Sequence, residues 1–297
     1  MREPRVSVVM PTHNRAGFVG RAVASVLAQT ESDFELIIVD DASTDGTGEF
    51  LLSLARQDER IRVITNMVSK GGGGARNVGI AVSCGQWVAF LDDDDEWASV
   101  KLEIQLAKLT TSPGAVACSC SYELLFSSGS SKVIRLPLQV TLTQLLSGSV
   151  LGGASMCVCS SRVLKDIGGF DVSFESGQDW DLWVRLRQQG LITVCNESLV
   201  RYQAHDGKRI TNNMSSQYLG ARRFYFKYRN LMDPALRRHR LAYICFIMSR
   251  QTKRLASVRL RYLALSIHHS APRIALTYFA SSLPRLCMDL VRSTSVF

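Results

Sequence analysis

The strongest constraint on how this 297-residue chain can fold is an alternation of two hydrophobic periods across its first 110 residues. The runs RVSVVM (5–10), FELIIVD (34–40), RIRVIT (60–65) and QWVAFLD (86–92) are short and apolar, as buried strands are. Between them, AGFVGRAVASVLAQT (16–30), STDGTGEFLLSLARQ (43–57), the stretch after Gly74 and ASVKLEIQLAKL (98–109) place apolar residues at helical spacing. This alternation predicts an α/β fold with a mostly parallel, doubly wound sheet flanked by helices. Such sheets bind ligands in a crevice beyond the carboxyl ends of their strands. Three polar clusters fall at those ends: PTHNR (11–15), DDAST (40–44) and DDDDEW (92–97).

Four consecutive aspartates after a buried strand repel one another and cannot simply splay apart. Hard carboxylate oxygens suit Mg²⁺ or Mn²⁺, which bind through one or two carboxylates plus substrate phosphates. The competing reading has Asp95 and Glu96 cap the helix starting near Ala98. Both readings can hold for different members of the run. In VDDASTD (39–45), Ser43, Thr44 or Asp45 can cap a helix, which leaves Asp40 and Asp41 to accept a hydrogen bond from a base N–H. SKGGGGARN (69–77) reads as a flexible connector or as a phosphate-cradling nest with Lys70 and Arg76 as contacts.

Residues 110–160 are strand-like with Ser/Gly loops, and SSRVLKDIGGFDVSF (160–174) gives a short helix stopped by Gly-Gly. DWDLWVRLRQQG (179–190) is an amphipathic helix with Leu182, Trp183 and Leu186 on one side and Gly190 as its C-cap. Asp179 and Asp181 lie on different sides of that helix. One can look into a cleft as a general base while the other caps the helix or faces solvent. On spacing alone, Asp179 itself is more often an N-cap.

These segments together resemble the family 2 glycosyltransferases over roughly residues 4–210. VSVVMPTHNR is similar to the family's opening strand and loop, ELIIVDDASTDGT to its nucleotide loop, and GGGGARNVGI to its A-R-N-x-G segment. WVAFLDDDDEW resembles the D-x-D metal motif, GGFDVSF the segment before the acceptor site, and QDWDLWVRL the family's E-D-x-D-L-W helix. The resemblance implies a GT-A fold and inverting transfer from a nucleotide-diphosphate sugar to an acceptor hydroxyl, with Mn²⁺ or Mg²⁺ as cofactor. It implies that Pro11, Thr12 and His13 line the nucleoside pocket, that Asp40 and Asp41 reach the base, and that Arg76, Asp92 and Asp93 contact the donor. Asp94, with Asp92 and His205, would hold the metal, and Asp179 would be the catalytic base. Gln178 stands where the family commonly has Glu, and the four-glycine run replaces a more varied loop. A nucleotidyltransferase and a non-catalytic nucleotide-sugar-binding module are the alternatives. The first would need a basic, Gly-rich loop that PTHNR lacks, and the second would not need Asp179.

The formal charge of +9 is unevenly distributed. Residues 1–200 carry 17 Lys and Arg against 23 Asp and Glu, whereas residues 201–297 carry 18 against 3. The expected organisation is a glycosyltransferase domain over 1–214, nucleotide-binding in 1–110 and acceptor-side in 111–214, then a helical, basic extension over 215–297. RRFYFKYRN (222–230) and RIALTYFASSLPRLCMDLVRS (273–293) mix arginines with apolar residues, which suits contact with an anionic membrane surface. Equally, they can form a helical cap with a solvated basic face. No nucleic-acid motif accompanies the charge, so nucleic acid is not an expected partner. A glycan or lipid-linked acceptor is the family's habit. No stretch has the roughly 20 apolar residues of a spanning helix, and MREPRVSVVMPTHNR lacks a signal-peptide run. Eight cysteines without CxxC spacing read as small buried hydrophobes of a reducing cytoplasm, and the basic tail suggests peripheral attachment to the inner face of the membrane.

Overall fold

The structure, a computed structural model, describes residues 3–204 and 214–251. His205 and the segment 273–293 lie outside the described residues. By their contacts the residues fall into two units, Met1–Ser173 with Gln178–Gly207 and Phe174–Gly177 with Lys208–Phe297.

The first unit is organised by a nine-stranded sheet. Strand β1 (Val6–Thr12) runs parallel to β2 (Phe34–Asp40) on one side and to β4 (Trp87–Phe90) on the other, and β3 (Ile61–Thr65) lies parallel outside β2. Val6, Val8, Val9 and Met10 of β1 are fully buried, as a central strand covered on both faces requires. Helices α1 (Val19–Leu27), α2 (Thr47–Ala55) and α3 (Gly71–Val82) make the crossovers. Helix α1 buries Val19, Ala22, Val23 and Val26, the i, i+3, i+4, i+7 stripe.

Strand β1 continues two residues past the apolar run, through Pro11 and Thr12. Thr12 O accepts from Asp41 N on the β2 side, whereas Val9 O accepts from Leu91 N on the β4 side. Pro11 therefore aims its missing N–H towards β4, beyond the last β1–β4 pair, Val9–Phe90, where no ladder bond is lost.

Beyond β4 the sheet is mixed. Strand β8 (Val158–Ser160) is antiparallel to β4 and to β6 (Ala115–Phe126), and β6 is parallel to the long β9 (Leu191–Ala204). The short β5 (Glu96–Trp97) closes the far edge against β9, and β7 (Ser131–Ile134) pairs with β6. Helix α4 (Lys101–Thr110) starts three residues later than the sequence suggests, with Val100 as an N-cap that makes no side-chain bond. Asp95 and Glu96 therefore do not cap it: Asp95 is buried and Glu96 is in β5. The strand-like reading of 110–160 misses helix α5 (Leu142–Ser147), whose capping box joins Thr141 and Gln144.

Helix α6 (Ser161–Asp166) ends at Gly168 and Gly169, both at positive φ. Helix α7 (Gln178–Gln189) buries Leu182, Trp183 and Leu186 as expected. Its Gly190 serves close packing: a Cβ there would meet Gly114 O at 2.8 Å. Among the described residues seven cysteines are free thiols, five of them buried, while Cys84 is exposed.

The second unit contains α8 (Met214–Tyr228) and α9 (Pro234–Gln251). Its interior holds Phe224 and Tyr228, with ring centroids 4.8 Å apart, and Arg240 stacked 5.5 Å from the Phe224 centroid. Arg222 and Arg229 stack on the half-exposed Phe226 at 5.7 and 5.2 Å. No helix among the described residues is long and apolar enough to cross a membrane.

Candidate active site

The aspartate run forms a turn at the end of β4. Asp95 N donates to Asp92 O at 3.1 Å, so the four residues close on themselves. Burial alternates along it, with Asp93 and Asp95 buried and Asp92 and Asp94 half-buried. The repulsion is met by cations distant in sequence. Arg76 from α3 pairs with Asp92, Arg15 lies 3.7 Å from Asp93, and Arg21 lies 3.2 Å from Glu96. Thr12 Oγ1 donates to Asp93 Oδ2 at 2.7 Å, tying the ends of β1 and β4 together. Burial, with Asp94 and Asp92 adding repulsion against the help of Thr12 and Arg15, pushes the Asp93 carboxyl up to about 6. Asp95 is raised well above the usual carboxylate range, chiefly by burial, although Ser155 Oγ donates to it at 2.6 Å and Gln203 N at 3.3 Å.

A second cluster gathers at the ends of β1, β2 and β3. Asp41 accepts from Asn66 Nδ2 at 2.7 Å, Ser69 Oγ at 2.6 Å, Lys70 N at 2.9 Å and Gly71 N at 2.8 Å. Burial alone would raise this carboxyl, but those four donors outweigh it and hold Asp41 ionised below its ordinary range. Asp40 is also buried and accepts from Ser43 N at 3.0 Å. His13 Nδ1 donates to Asp41 O at 2.7 Å, leaving Nε2 to accept from Asn14 Nδ2 at 3.1 Å. Asn14, at φ 54°, also accepts from Thr44 N at 2.8 Å, so the first two strand-end loops brace each other. Neither Ser43, Thr44 nor Asp45 is the N-cap of α2. That position is Gly46 in the left-handed region, while Asp45 accepts from Thr47 N at 3.1 Å.

The four glycines are the first turn of α3, not a connector. Close approach explains two of them. A Cβ on Gly73 would stand 2.6 Å from Gln178 Oε1, and one on Gly74 would stand 2.6 Å from Lys70 Cβ. Gly73 thus lets the start of α7 settle against α3, which brings Asp179 to Arg76. Burial raises the Asp179 carboxyl, with the Trp180 N–H and Arg76 opposing and Asp92 assisting. Burial would lower Arg76, but Asp92, then Asp179 and Asp93, keep it charged. The Nε of Arg76 is shielded from solvent and has no hydrogen-bond partner among the described residues. Asp181 does not face solvent: it is fully buried and pairs with Arg185 at 2.8 Å.

Pro11, Thr12, His13, Asp40, Asp41, Arg76, Asp92, Asp93, Asp94 and Asp179 thus all lie at the carboxyl ends of adjoining strands or on the two helices that meet there. Asn66, Ser69 and Ser155 also belong to this network and carry no motif. Asn66 could have been found, since it stands at the end of β3 by the same strand-end rule. Ser155 gives no signal in sequence.

Among the described residues no three His, Cys, Asp or Glu side chains group into a ready-made metal site. The donors of the turn nevertheless fit Mg²⁺ or Mn²⁺. They are hard oxygens, two of the four carboxylates keep some exposure, and these cations need few protein ligands when phosphates supply the rest.

Acids gathered at the carboxyl ends of parallel strands, with the charged Arg76 among them, stand where open α/β sheets bind their ligands. The family profile described as Glycosyl transferase family 2 matches residues 7–163. The chain is 32% identical over 235 residues to the putative teichuronic acid biosynthesis glycosyltransferase TuaG of Bacillus subtilis, covering 77% of this chain and 89% of that protein. It is 30% identical over 191 residues to the UDP-Glc:alpha-D-GlcNAc-diphosphoundecaprenol beta-1,3-glucosyltransferase WfgD of Escherichia coli, covering 64% and 73%. The chain belongs to glycosyl transferase family 2 and is a glycosyltransferase. Its fold is that of the GT-A enzymes. It superposes on S. aureus TarS 1-349 in complex with UDP-GlcNAc with a TM-score of 0.68 at 19% identity, covering 95% of this chain and 86% of that one. On the mannosyltransferase PcManGT from Pyrobaculum calidifontis, in complex with GDP-Man and Mn²⁺, the TM-score is 0.57 at 17% identity, covering 99% and 81%.

Proposed function

We propose that this chain is an inverting glycosyltransferase of surface-polysaccharide or glycolipid assembly, moving a sugar from a nucleotide-diphosphate donor to a glycan or lipid-linked hydroxyl. The observation that carries the reading is Asp179 held beside Arg76 and the acid turn, its carboxyl raised by burial. A raised carboxyl is a better general base near neutral pH than a solvated one. In this reading Asp179 takes the proton from the acceptor hydroxyl as the oxygen attacks the anomeric carbon, and the bond to the leaving diphosphate breaks on the opposite face. One displacement without a covalent intermediate inverts the configuration.

The nucleoside end of the donor lies over β1 and β2. Asp41, ionised and immobilised, accepts from a base N–H with Asp40 behind it, while Pro11, Thr12 and His13 form the wall. Asp93 faces the ribose or sugar, and Arg76 offers its unpartnered Nε–H to a phosphate oxygen. Asp94 and Asp92 would hold Mn²⁺ or Mg²⁺, with His205 assigned to the same role by family resemblance. When bound, that ion would offset the charge developing on the leaving diphosphate. A uridine donor and a diphosphate-lipid-linked acceptor are suggested by the names of the relatives. Residues 1–214 would form the catalytic domain and 215–297 a basic extension. Docking of that extension on the anionic inner face of the membrane is supported by Phe226 held half-exposed between Arg222 and Arg229.

The test is nucleoside diphosphate release from a panel of UDP- and GDP-sugars with Mn²⁺, with and without a lipid-diphosphate-linked sugar acceptor. Acceptor-dependent release is expected, and Asp179→Asn should lower turnover by about 10²–10⁴ while keeping donor binding. Turnover near wild type in that variant would remove Asp179 from the base role.

A further inference from the structure

We infer that Ser155 is a positioning residue for the acid turn, setting the arrangement in which Asp92 and Asp94 meet a divalent cation and a diphosphate. This rests on the metal-dependent reading above. Ser155 sits in a short 3-10 turn, Ala154–Met156, and is fully buried. Its hydroxyl accepts from Asp92 N at 3.1 Å and donates to Asp95 Oδ2 at 2.6 Å. A single oxygen from a segment 60 residues away thus bonds the first and last members of the run, whose own closing bond is Asp95 N to Asp92 O. The carbonyl of Ser155 accepts from Trp97 Nε1 at 3.0 Å, which fixes the hydroxyl from the other side of the turn.

Removing the hydroxyl would leave the Asp92 N–H without its acceptor and one oxygen of the buried Asp95 carboxyl without its donor. Buried polar groups do not stay unpaired cheaply, so the turn would reopen to reach water, and the two half-exposed carboxylates would move with it. The same segment touches the other half of the site. Gly152 O accepts from Trp183 Nε1 at 3.4 Å, and Trp183 lies one helical turn beyond Asp179 on α7. The segment 152–155 therefore spaces the base from the acid turn. Its far end is held independently, by Ser119 Oγ donating to Leu151 O at 3.1 Å. That separate anchor makes Ser119 a control within the same structure.

The experiment measures binding of UDP in the presence of Mn²⁺, and of Mn²⁺ alone, to the full chain by calorimetry, together with thermal stability. Ser155→Ala should weaken Mn²⁺-dependent UDP binding about 10–100-fold, as loss of a group behind metal ligands does. Ser119→Ala should leave that affinity within about twofold of wild type while lowering the melting temperature comparably. Should Ser155→Ala not fold, Ser155→Cys is the second variant. Its thiol is somewhat larger than the hydroxyl and donates and accepts only weakly, and it should lose affinity in the same direction. Unchanged affinity in the Ser155 variants, or equal loss in Ser119→Ala, would overturn the inference while leaving the enzyme reading intact. A wild type that binds UDP equally well without Mn²⁺ would overturn the metal reading and this inference with it.

Discussion

Asp93→Asn should stabilise the ligand-free protein at neutral pH and leave it nearly unchanged near pH 4. Asp93 is buried, and its carboxyl is pushed from an ordinary value near 3.8 up to about 6. An acid raised in the folded state prefers to fold protonated, so ionising it costs stability. Below the unfolded value both states carry the proton and nothing is lost. The cost grows between pH 3.8 and about 6 and is complete above that. A shift of roughly 2 units at about 1.4 kcal/mol each sets a ceiling near 3 kcal/mol. Asparagine keeps an oxygen for the Thr12 hydroxyl and removes the charge, so it should recover about 1–3 kcal/mol at pH 7.5, or roughly 2–10 °C in melting temperature for a chain of this size. The assay is thermal or urea unfolding of both proteins in EDTA at several pH values from 4 to 7.5. A difference that does not change with pH, or a variant less stable than wild type at pH 7.5, would refute the electrostatic account of the turn.

The other perturbations differ in sign. Asp41→Asn replaces a carboxylate that satisfies four donors by one amide oxygen, and should cost about 2–4 kcal/mol at neutral pH. Because Asp41 is held below its ordinary value, that gap should persist down to about pH 4 and close as the solution is acidified further, a trend measurable by urea unfolding. Gly79→Ala would press a methyl into Val9 of the central strand and should destabilise by about 1–3 kcal/mol. Gly73→Ala meets only the end of the Gln178 side chain, so it should cost little stability yet reduce turnover by shifting that side chain beside Asp179, which paired melting and rate measurements would separate.

Much of the fold was legible because the parallel half obeys local rules. Strands β1 to β4 are short apolar runs, α1 carries a clean stripe, and the strand-end rule singles out polar clusters that the fold does bring together. The second half was less legible for physical reasons. The order β4-β8-β6-β9 depends on pairings between distant segments that no local period encodes. Helix α5 is only six residues long, too short for a period to show. At the strand ends, residue types single out the acids but not their partners. Arg15, Arg76 and Ser155 answer the repulsion of the four aspartates from distant places in the chain. The glycine run misled because flexibility and close approach use the same residue, and only the position of Gln178 tells them apart.

The central claim is that the acid turn holds a divalent ion against the donor diphosphate through Asp94. Its most direct measurement is the melting temperature of wild type and Asp94→Ala with saturating UDP-sugar, in Mn²⁺ and in EDTA. Ligand binding stabilises by RT ln(1 + [L]/Kd), about 2.7 kcal/mol at a hundredfold excess over Kd. The account predicts that rise for wild type in Mn²⁺ and its loss both in EDTA and in Asp94→Ala. An equal rise in all of these conditions would contradict it.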